Sequence, residues 1–282
     1  MISISALTRI TSAQLISTFN HAFSDYIVPV NLNSFILKQK MAQENIRLEF
    51  SAGVFDDGRL VGLMLHGIGE VNDEPAAYNG GTGIIPEYRG RGLVSRMYDF
   101  LKPLLEQVGI QKVLLEVIDT NERAISAYKK VGFRRLRMLD CFKGEILHPV
   151  LVPDPGVTAE VLSELPWAQL PSFWNYRPTW QHTIAAARRG HGPLKYLAIK
   201  EKGQLLAYGI VNAGTGRAVQ YGVHPAHRRR GLGRLLFNSL ASLGNPRITV
   251  LNVDGEDEQS RQFFQGMGFE CYVRQLEMEW RF

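Results

Sequence analysis

Glu116, Asn121, Ala124 and Tyr128 lie close together in the sequence, with Glu116 standing 12 positions before Tyr128 (128 − 116). Glu116 interrupts the apolar run 113–118. A carboxylate in a buried strand costs several kcal/mol unless it is paired or faces a functional cavity. Asn121 and Ala124 open the next segment, and Tyr128 lies one helical turn beyond Ala124 on the same face. Taken singly, Glu116 reads equally as one half of a pair with an arginine or a backbone group. Tyr128 reads equally as a core aromatic. Two further stretches carry anion chemistry. Gly83-Ile-Ile-Pro-Glu-Tyr-Arg-Gly-Arg-Gly-Leu-Val returns as Gly222-Val-His-Pro-Ala-His-Arg-Arg-Arg-Gly-Leu-Gly, 139 positions later (222 − 83). Each leaves an apolar run, crosses an Arg/Gly-rich turn and enters a helical pattern. Backbone N–H groups at such a turn, small residues and the helix dipole suit a pyrophosphate. No Gly-Lys-Ser/Thr follows, so neither turn is a Walker loop, and Gly-x-Gly-x-x-Gly is absent from both.

Positioning these groups requires alternating strands and helices. In the first half a strand is expected at 2–7, a helix capped by Thr11 and reaching 23, and a second helix at 35–44. Strands follow at 47–55, 60–69 and 76–85, the first two joined by the turn Asp56-Asp57-Gly58. Leu93, Met97, Leu101, Leu104, Leu105 and Val108 put one apolar face on a helix at 92–108, with Gly109 as its cap and Pro103 as a kink or break. A buried strand at 112–118, a helix at 121–131 and a closing strand at 133–142 complete the half. The second half repeats this order, with strands at 196–200, 205–212 and 218–223, a helix at 231–243, a strand at 247–253, a helix at 258–267 and a last strand at 269–280. Pro149, Pro153, Pro155 and Gly156 mark a linker, so two domains are expected, 1–150 and 151–282. The fold class is α/β, a mixed and mostly antiparallel sheet with helices, in tandem.

A chain of 282 residues with 45% hydrophobic and 21% charged residues can bury a core in each half. It has no apolar run long enough for a membrane helix and no basic-then-apolar start, so neither a membrane nor export is expected. Cys141 and Cys271 are its only cysteines, which fits a reducing cytoplasm and excludes a disulfide framework; neither has metal-ligand company, so no metal is expected. The net charge is +5. Arg228, Arg229 and Arg230 could meet nucleic acid, but no aromatic residues interleave with them and no nucleic-acid partner is expected. Trp167, Trp174 and Trp180 lie within 159–190 with Phe173 and Tyr176, either as packing or as a wall for an acceptor or partner.

Taken together, these motifs resemble the GNAT superfamily, the acetyl-CoA-dependent N-acetyltransferases. The family's signature Gln/Arg-x-x-Gly-x-Gly/Ala is met in full by Arg228-Arg229-Arg230-Gly231-Leu232-Gly233. Arg89-Gly90-Arg91-Gly92-Leu93-Val94 meets it except at Val94. The downstream signature Asn-x-x-Ala-x-x-x-Tyr-x-x-x-Gly-Phe is met by Asn121, Ala124, Tyr128, Gly132 and Phe133. The resemblance implies acetyl-CoA as cosubstrate, bound by Ile84, Ile85, Arg89, Gly90, Arg91, Gly92, Leu93, Val94, Asn121, Ala124 and Tyr128, with a second set at Val223, Arg228, Arg229, Arg230, Gly231, Leu232 and Gly233. It implies an amine-bearing acceptor, a small molecule or a protein amine. It gives Tyr128 the role of proton donor to the leaving thiolate and puts Glu116 where some members keep a general base. A backbone N–H near Gly83 would polarise the thioester carbonyl.

Aligning Gly132-Phe133 with Gly268-Phe269 sets Tyr128 against Phe264, Glu116 against Asn252, Asn121 against Asp257 and Ala124 against Ser260. Chemistry is therefore expected in the first half, with the second a degenerate or CoA-binding copy. Some tandem members of the family use the C-terminal copy, and that assignment stays open, as does a non-catalytic acyl-CoA sensor or scaffold. The segments choosing the acceptor are expected at 22–43 and 167–188, with Asp25, Tyr26 and Glu44 as groups able to meet a cationic amine.

Overall fold

Two units make up the computed structural model, which describes residues 1–147, 155–190 and 194–282: one of Met1–Arg137 with Leu276–Phe282, the other of Met138–Gln275. The boundary read at 150, with Pro149 and Pro153, lies outside the described residues. The final residues of the chain rejoin the first unit, which a single cut at a linker does not produce.

The first repeat supplies β1 (Ile2–Ala6), α1 (Ser12–Ala22), α2 (Ser34–Gln43), β2 (Ala52–Asp56), β3 (Arg59–Val71), β4 (Glu74–Ile84), α3 (Leu93–Glu106), β5 (Lys112–Ile118), α4 (Glu122–Val131) and β6 (Arg134–Glu145). The second supplies β7 (Val157–Leu162), α5 (Ile184–Arg189), β8 (Leu194–Glu201), β9 (Gln204–Asn212), β10 (Arg217–Val223), α6 (Leu232–Ser242), β11 (Arg247–Asp254), α7 (Glu258–Gly266) and β12 (Glu270–Arg281). Strand order in the first unit is β1-β2-β3-β4-β5-β12, and in the second β6-β11-β10-β9-β8-β7. Each sheet thus closes on the last strand of the other repeat. Both closing strands follow a helix and a Gly-Phe pair, so their sequence pattern is the same whichever sheet they join.

Local causes are direct. Thr11 accepts from Gln14 N–H while the Gln14 side chain accepts from Thr11 N–H, a reciprocal cap that starts α1. Asp57 and Gly58 take positive φ of 46° and 82°, the conformation a tight β2–β3 hairpin needs. The strand expected at 47–55 begins only at Ala52. Its front is a 3-10 turn at Leu48–Phe50, because the Ser51 hydroxyl donates to Arg47 carbonyl and accepts from His66 N–H where strand pairing would have to run. Pro103 does not end α3, which continues to Glu106. β7 is an edge strand with only Val157 buried, and its polar face hides it from apolar periodicity.

What matters for function is a defect shared by both sheets. β4 and β5 run parallel but pair only at Ala77–Val113 and Tyr78–Leu114; β10 and β11 pair only at Arg217–Thr249 and Ala218–Val250. Just beyond these pairs a bulge interrupts β4 against β3 and another interrupts β10 against β9. Past the bulges the parallel strands part, so each sheet opens into a wedge. The crevice beyond the carboxyl ends of parallel strands is where α/β sheets take ligands. Apolar cores cover both faces of each sheet.

Candidate functional site

At the mouth of each wedge the chain turns from strand into helix. Gly90 and Gly92 take φ of 76° and 67°, and Arg229 and Gly231 take 63° and 77°, so the two turns share one left-handed pattern. Neither α3 nor α6 has a side-chain cap at its start. The N–H groups of their first turns therefore point outward as a nest suited to an anion. The leading arginine of each motif does something else. Arg89 Nε donates to Ile84 carbonyl at 3.0 Å and Nη2 to Ala22 carbonyl at 3.0 Å. Arg228 repeats this on Val223 and Phe173 at 3.0 and 3.1 Å. These side chains brace the turn rather than face a ligand. Arg89 also grips Asp25 at 2.6 and 2.8 Å, and that pairing holds the Asp25 carboxyl down to about 2. Arg91 lies over the Tyr88 ring and donates to Glu87 carbonyl, while Arg230 pairs with Glu201 at 2.8 Å.

Position 94 has a packing explanation. A Cβ on Gly233 would come within 3.0 Å of the Phe263 ring, whereas the residue aligned with Phe263 in the first repeat is Ala127. The small residue has changed places, and Val94 packs against the core of its own unit. On β4, Ile85 N–H donates to Val61 carbonyl. Strand alternation then turns the N–H groups of Thr82 and Ile84, on either side of Gly83, toward the wedge. His224 N–H donates to Leu206 carbonyl, which turns that of Val223 the same way.

Inside the first wedge, Tyr128 is buried with its ring 5.5 Å from that of Phe133. Burial pushes its phenol up to about 12, against hydrogen bonds to Thr82 and Asn79. Those two residues are joined to each other at 2.7 Å, and Asn79 Nδ2 donates to Tyr98 hydroxyl at 2.8 Å. Asn121 accepts from Ala124 N–H at 3.2 Å and so starts α4; it also hydrogen-bonds Tyr26, which burial raises. Tyr26 therefore reaches the wedge, while Asp25 is held at the turn. Glu116 lies on the other face of the sheet, since its neighbours Leu115 and Val117 belong to the α3 core. Its carboxylate accepts from Tyr78 hydroxyl at 2.5 Å, a phenol rather than an arginine or backbone group. Burial pushes it up to about 7, opposed by that hydrogen bond and reinforced by Glu277 and Glu44. Glu44 is paired with Lys40 at 2.7 Å and Glu277 with Arg137 at 2.6 Å. Asn79, Thr82 and Tyr78 were not singled out from sequence, though polar residues within otherwise buried β4 were an available signal; nor was Glu277 on β12.

The second wedge holds a cavity of about 380 Å³ whose lining includes Gly231 at the turn, Tyr176, Tyr221, His182, Gln220 and Asn252. It runs from the nest to the far face of the sheet. Of the aromatic stretch 159–190, Leu170 and Phe173 pack on the sheet, and Trp174 and Tyr176 line the cavity. Asn252, at φ 59°, donates to Thr179 at 3.0 Å and accepts from Gln275 at 2.8 Å. Phe264 is fully buried among Phe142, Phe237 and Tyr221, and Asp257 starts α7 by accepting from Ser260 N–H. Among the described residues no group of three or more His, Cys, Asp and Glu could hold a metal ion. No described helix is long and apolar enough to cross a membrane.

Residues 15–133 and 159–269 match the pattern of the acetyltransferase (GNAT) family. A mycothiol acetyltransferase of Salinispora tropica is 39% identical over 103 residues, covering 31% of this chain and 34% of that protein. N-alpha-acetyltransferase 30 of Schizosaccharomyces pombe is 28% identical over 99 residues, covering 32% of this chain and 61% of that protein. The chain thus spans less than two thirds of these relatives. Among solved structures, a tandem GNAT protein from the clavulanic acid biosynthesis pathway superposes with a TM-score of 0.76 at 15% identity, covering 100% of this chain and 98% of that one. A GCN5-related N-acetyltransferase from Sphaerobacter thermophilus gives 0.73 at 14% identity, covering 99% and 95%.

Proposed function

The chain belongs to the acetyltransferase (GNAT) family, and from that premise we propose that it moves an acetyl group from acetyl-CoA to a primary amine by direct attack in a ternary complex, with the chemistry in the first unit. One observation carries the assignment. The first wedge has a carboxyl pushed up to about 7 on one face of its sheet and a phenol pushed up to about 12 on the other, with the parted strands between them. Direct transfer suits that separation, because the amine is deprotonated on the acceptor side of the thioester while the thiolate is protonated on the CoA side. Paired groups with values driven apart mark base and acid.

The uncapped first turn of α3, opened by Gly90 and Gly92 with nothing within 4 Å of where a Cβ would stand, fits the pyrophosphate of CoA. Ionised Glu116 takes a proton from the incoming ammonium, directly or through water, so that a neutral nitrogen attacks. The N–H groups of Thr82 and Ile84 meet the developing oxyanion. As the C–N bond forms and the C–S bond breaks, Tyr128 gives its proton to the thiolate, the second proton lost by the nitrogen returns to the Tyr128 phenolate through solvent, and the proton held by Glu116 leaves with solvent. Tyr128→Phe should lower thiol release with an aliphatic amine by about 10²-fold. Unchanged release would overturn the assignment to this wedge and shift the chemistry to the second unit, whose 380 Å³ cavity is the observation favouring that reading. No release with any amine would leave an acyl-CoA sensor.

A further inference from the structure

The second unit lacks a tyrosine at the aligned helix position, yet its wedge does not lack a phenol. In the first unit Tyr128 meets Thr82 across the wedge, helix to strand. The residue aligned with Thr82, at the same spacing of 139 from the repeated motif, is Tyr221 (221 − 82). The residue aligned with Tyr128 is Phe264. The rings of Tyr221 and Phe264 stand edge to face at 5.7 Å. Across the two repeats the phenol has moved from the helix wall to the strand wall of the same opening. Tyr221 lines the cavity with the nest residues, and its hydroxyl is 3.3 Å from that of Tyr176.

The acceptor side differs as well. Among the described residues the cavity lining contains no carboxylate; Asn252 stands at the base's position, held by Thr179 and Gln275. The His182 imidazole is engaged by Thr179 at 3.1 Å and Arg217 at 3.4 Å, and the Asp257 carboxylate behind the lining is engaged by Asn175 and Ser260. The charged lining residues are Arg228, turned back onto the carbonyl groups of the turn, and Arg229 and Arg234, whose positive charge disfavours an ammonium group. A wedge with a proton donor, no free carboxylate or imidazole, a positive rim and an aromatic wall suits an amine that is already neutral and flat. An arylamine meets that description, because delocalisation of its lone pair into the ring keeps it unprotonated at neutral pH.

Resting on the acyl-transfer reading above, we infer that the second unit is itself an acyl-transfer site, using Tyr221 as proton donor and taking arylamines as acceptors. The arylamine nitrogen attacks the thioester carbonyl, the C–N bond forms and the C–S bond breaks. Tyr221 gives its proton to the thiolate, and the proton lost by the nitrogen returns to the phenolate through the Tyr176 hydroxyl. Burial raises the Tyr221 phenol well above its ordinary value, so it stays protonated and ready to donate.

The test is thiol release from acetyl-CoA by the full chain, with aniline and an aliphatic amine as separate acceptors. Release with aniline should persist in Tyr128→Phe and fall about 10²-fold in Tyr221→Phe, while release with the aliphatic amine does the reverse. Moving the phenol back, as Tyr221→Phe with Phe264→Tyr, should restore aniline turnover to within about tenfold of the original. Aniline turnover that is absent, or that Tyr221→Phe leaves unchanged, overturns the inference while the aliphatic reaction stands. Loss in Tyr221→Phe with an unchanged melting temperature and no restoration overturns the proton-donor role. No release with either amine in the unsubstituted protein overturns both readings.

Discussion

The two wedges are built alike and furnished differently. Both open where a parallel pair of strands stops after two residue pairs, both lead to an uncapped helix, and both are braced by an arginine that holds two carbonyl groups. Between those shared walls the first unit sets Glu116, Tyr128, Asn79 and Thr82, and the second sets Asn252, Gln220 and Tyr221, with Phe264 packed behind Tyr221. Backbone geometry determines where an anion could lie, and it is common to both. Side chains determine what can be protonated or deprotonated there, and they diverge. The lesson is that loss of a residue at an aligned position does not establish loss of its chemical group, because an opening has two walls.

The comparison breaks most sharply at the helix starts. Gly92 and Gly231 are left-handed, with open space where a Cβ would stand. A side chain there is strained by roughly 1–2 kcal/mol, and a large one also fills the place of the anion. Calorimetry with acetyl-CoA should give two sites in the unsubstituted protein. Gly92→Trp should weaken one and Gly231→Trp the other, each by about 10²-fold or more, equivalent to roughly 2.7 kcal/mol. A single site that disappears only with Gly231→Trp would confine the donor to the second unit.

A smaller effect separates the acceptor sides. With the Glu116 carboxyl raised from the ordinary 4.5 to about 7, turnover of an aliphatic amine should climb as pH rises through about 7, since only the ionised form accepts a proton. Glu116→Gln should lower that turnover by about 10–10²-fold and remove the inflection near 7, leaving the steady rise set by the amine's own deprotonation. The same shift has a stability consequence of defined sign. The folded form holds the proton more tightly than the unfolded form, so stability contributed by the neutral carboxyl is complete below about 4.5 and is lost as pH rises through about 7. Chemical denaturation between those limits should show that decline, flattened in Glu116→Gln. Aniline turnover should be indifferent to Glu116→Gln throughout.

Much of this was legible in the chain. The cap at Thr11, the hairpin at Asp57 and Gly58, the helix starts and the Asn121–Tyr128 helix all follow from local chemistry, and local chemistry is what a sequence displays. Val94 read as a lapse from the motif until Ala127 and Phe263 showed which helix had surrendered the space. The exchange of β6 and β12 left no mark, because both strands carry the same pattern and either could complete either sheet. The bracing role of Arg89 and Arg228 was hidden for a similar reason: an arginine beside a phosphate nest looks like a ligand until its carbonyl partners are seen. Tyr221 escaped notice since Thr82 faces Tyr128 across a gap of 46 positions (128 − 82) that alignment along the chain does not bridge.

The bracing arginines allow the finest comparison. Arg89→Ala and Arg228→Ala each remove the donors to two carbonyl groups at a partly buried turn, and each should destabilise its unit by about 1–3 kcal/mol. Their difference should be small. Arg89 has Asp25 as an added partner, Arg228 only the Gln259 amide oxygen at 3.4 Å, and an exposed ion pair is worth about 0–1 kcal/mol. Raising the salt concentration should therefore shrink the gap between the two variants, since screening weakens the Asp25 pair and leaves the carbonyl contacts alone. A gap that salt does not change would assign it to packing around α1 and the 3-10 segment at Trp167–Phe173. The arginine would then hold the two turns by unequal means despite its equal bonds.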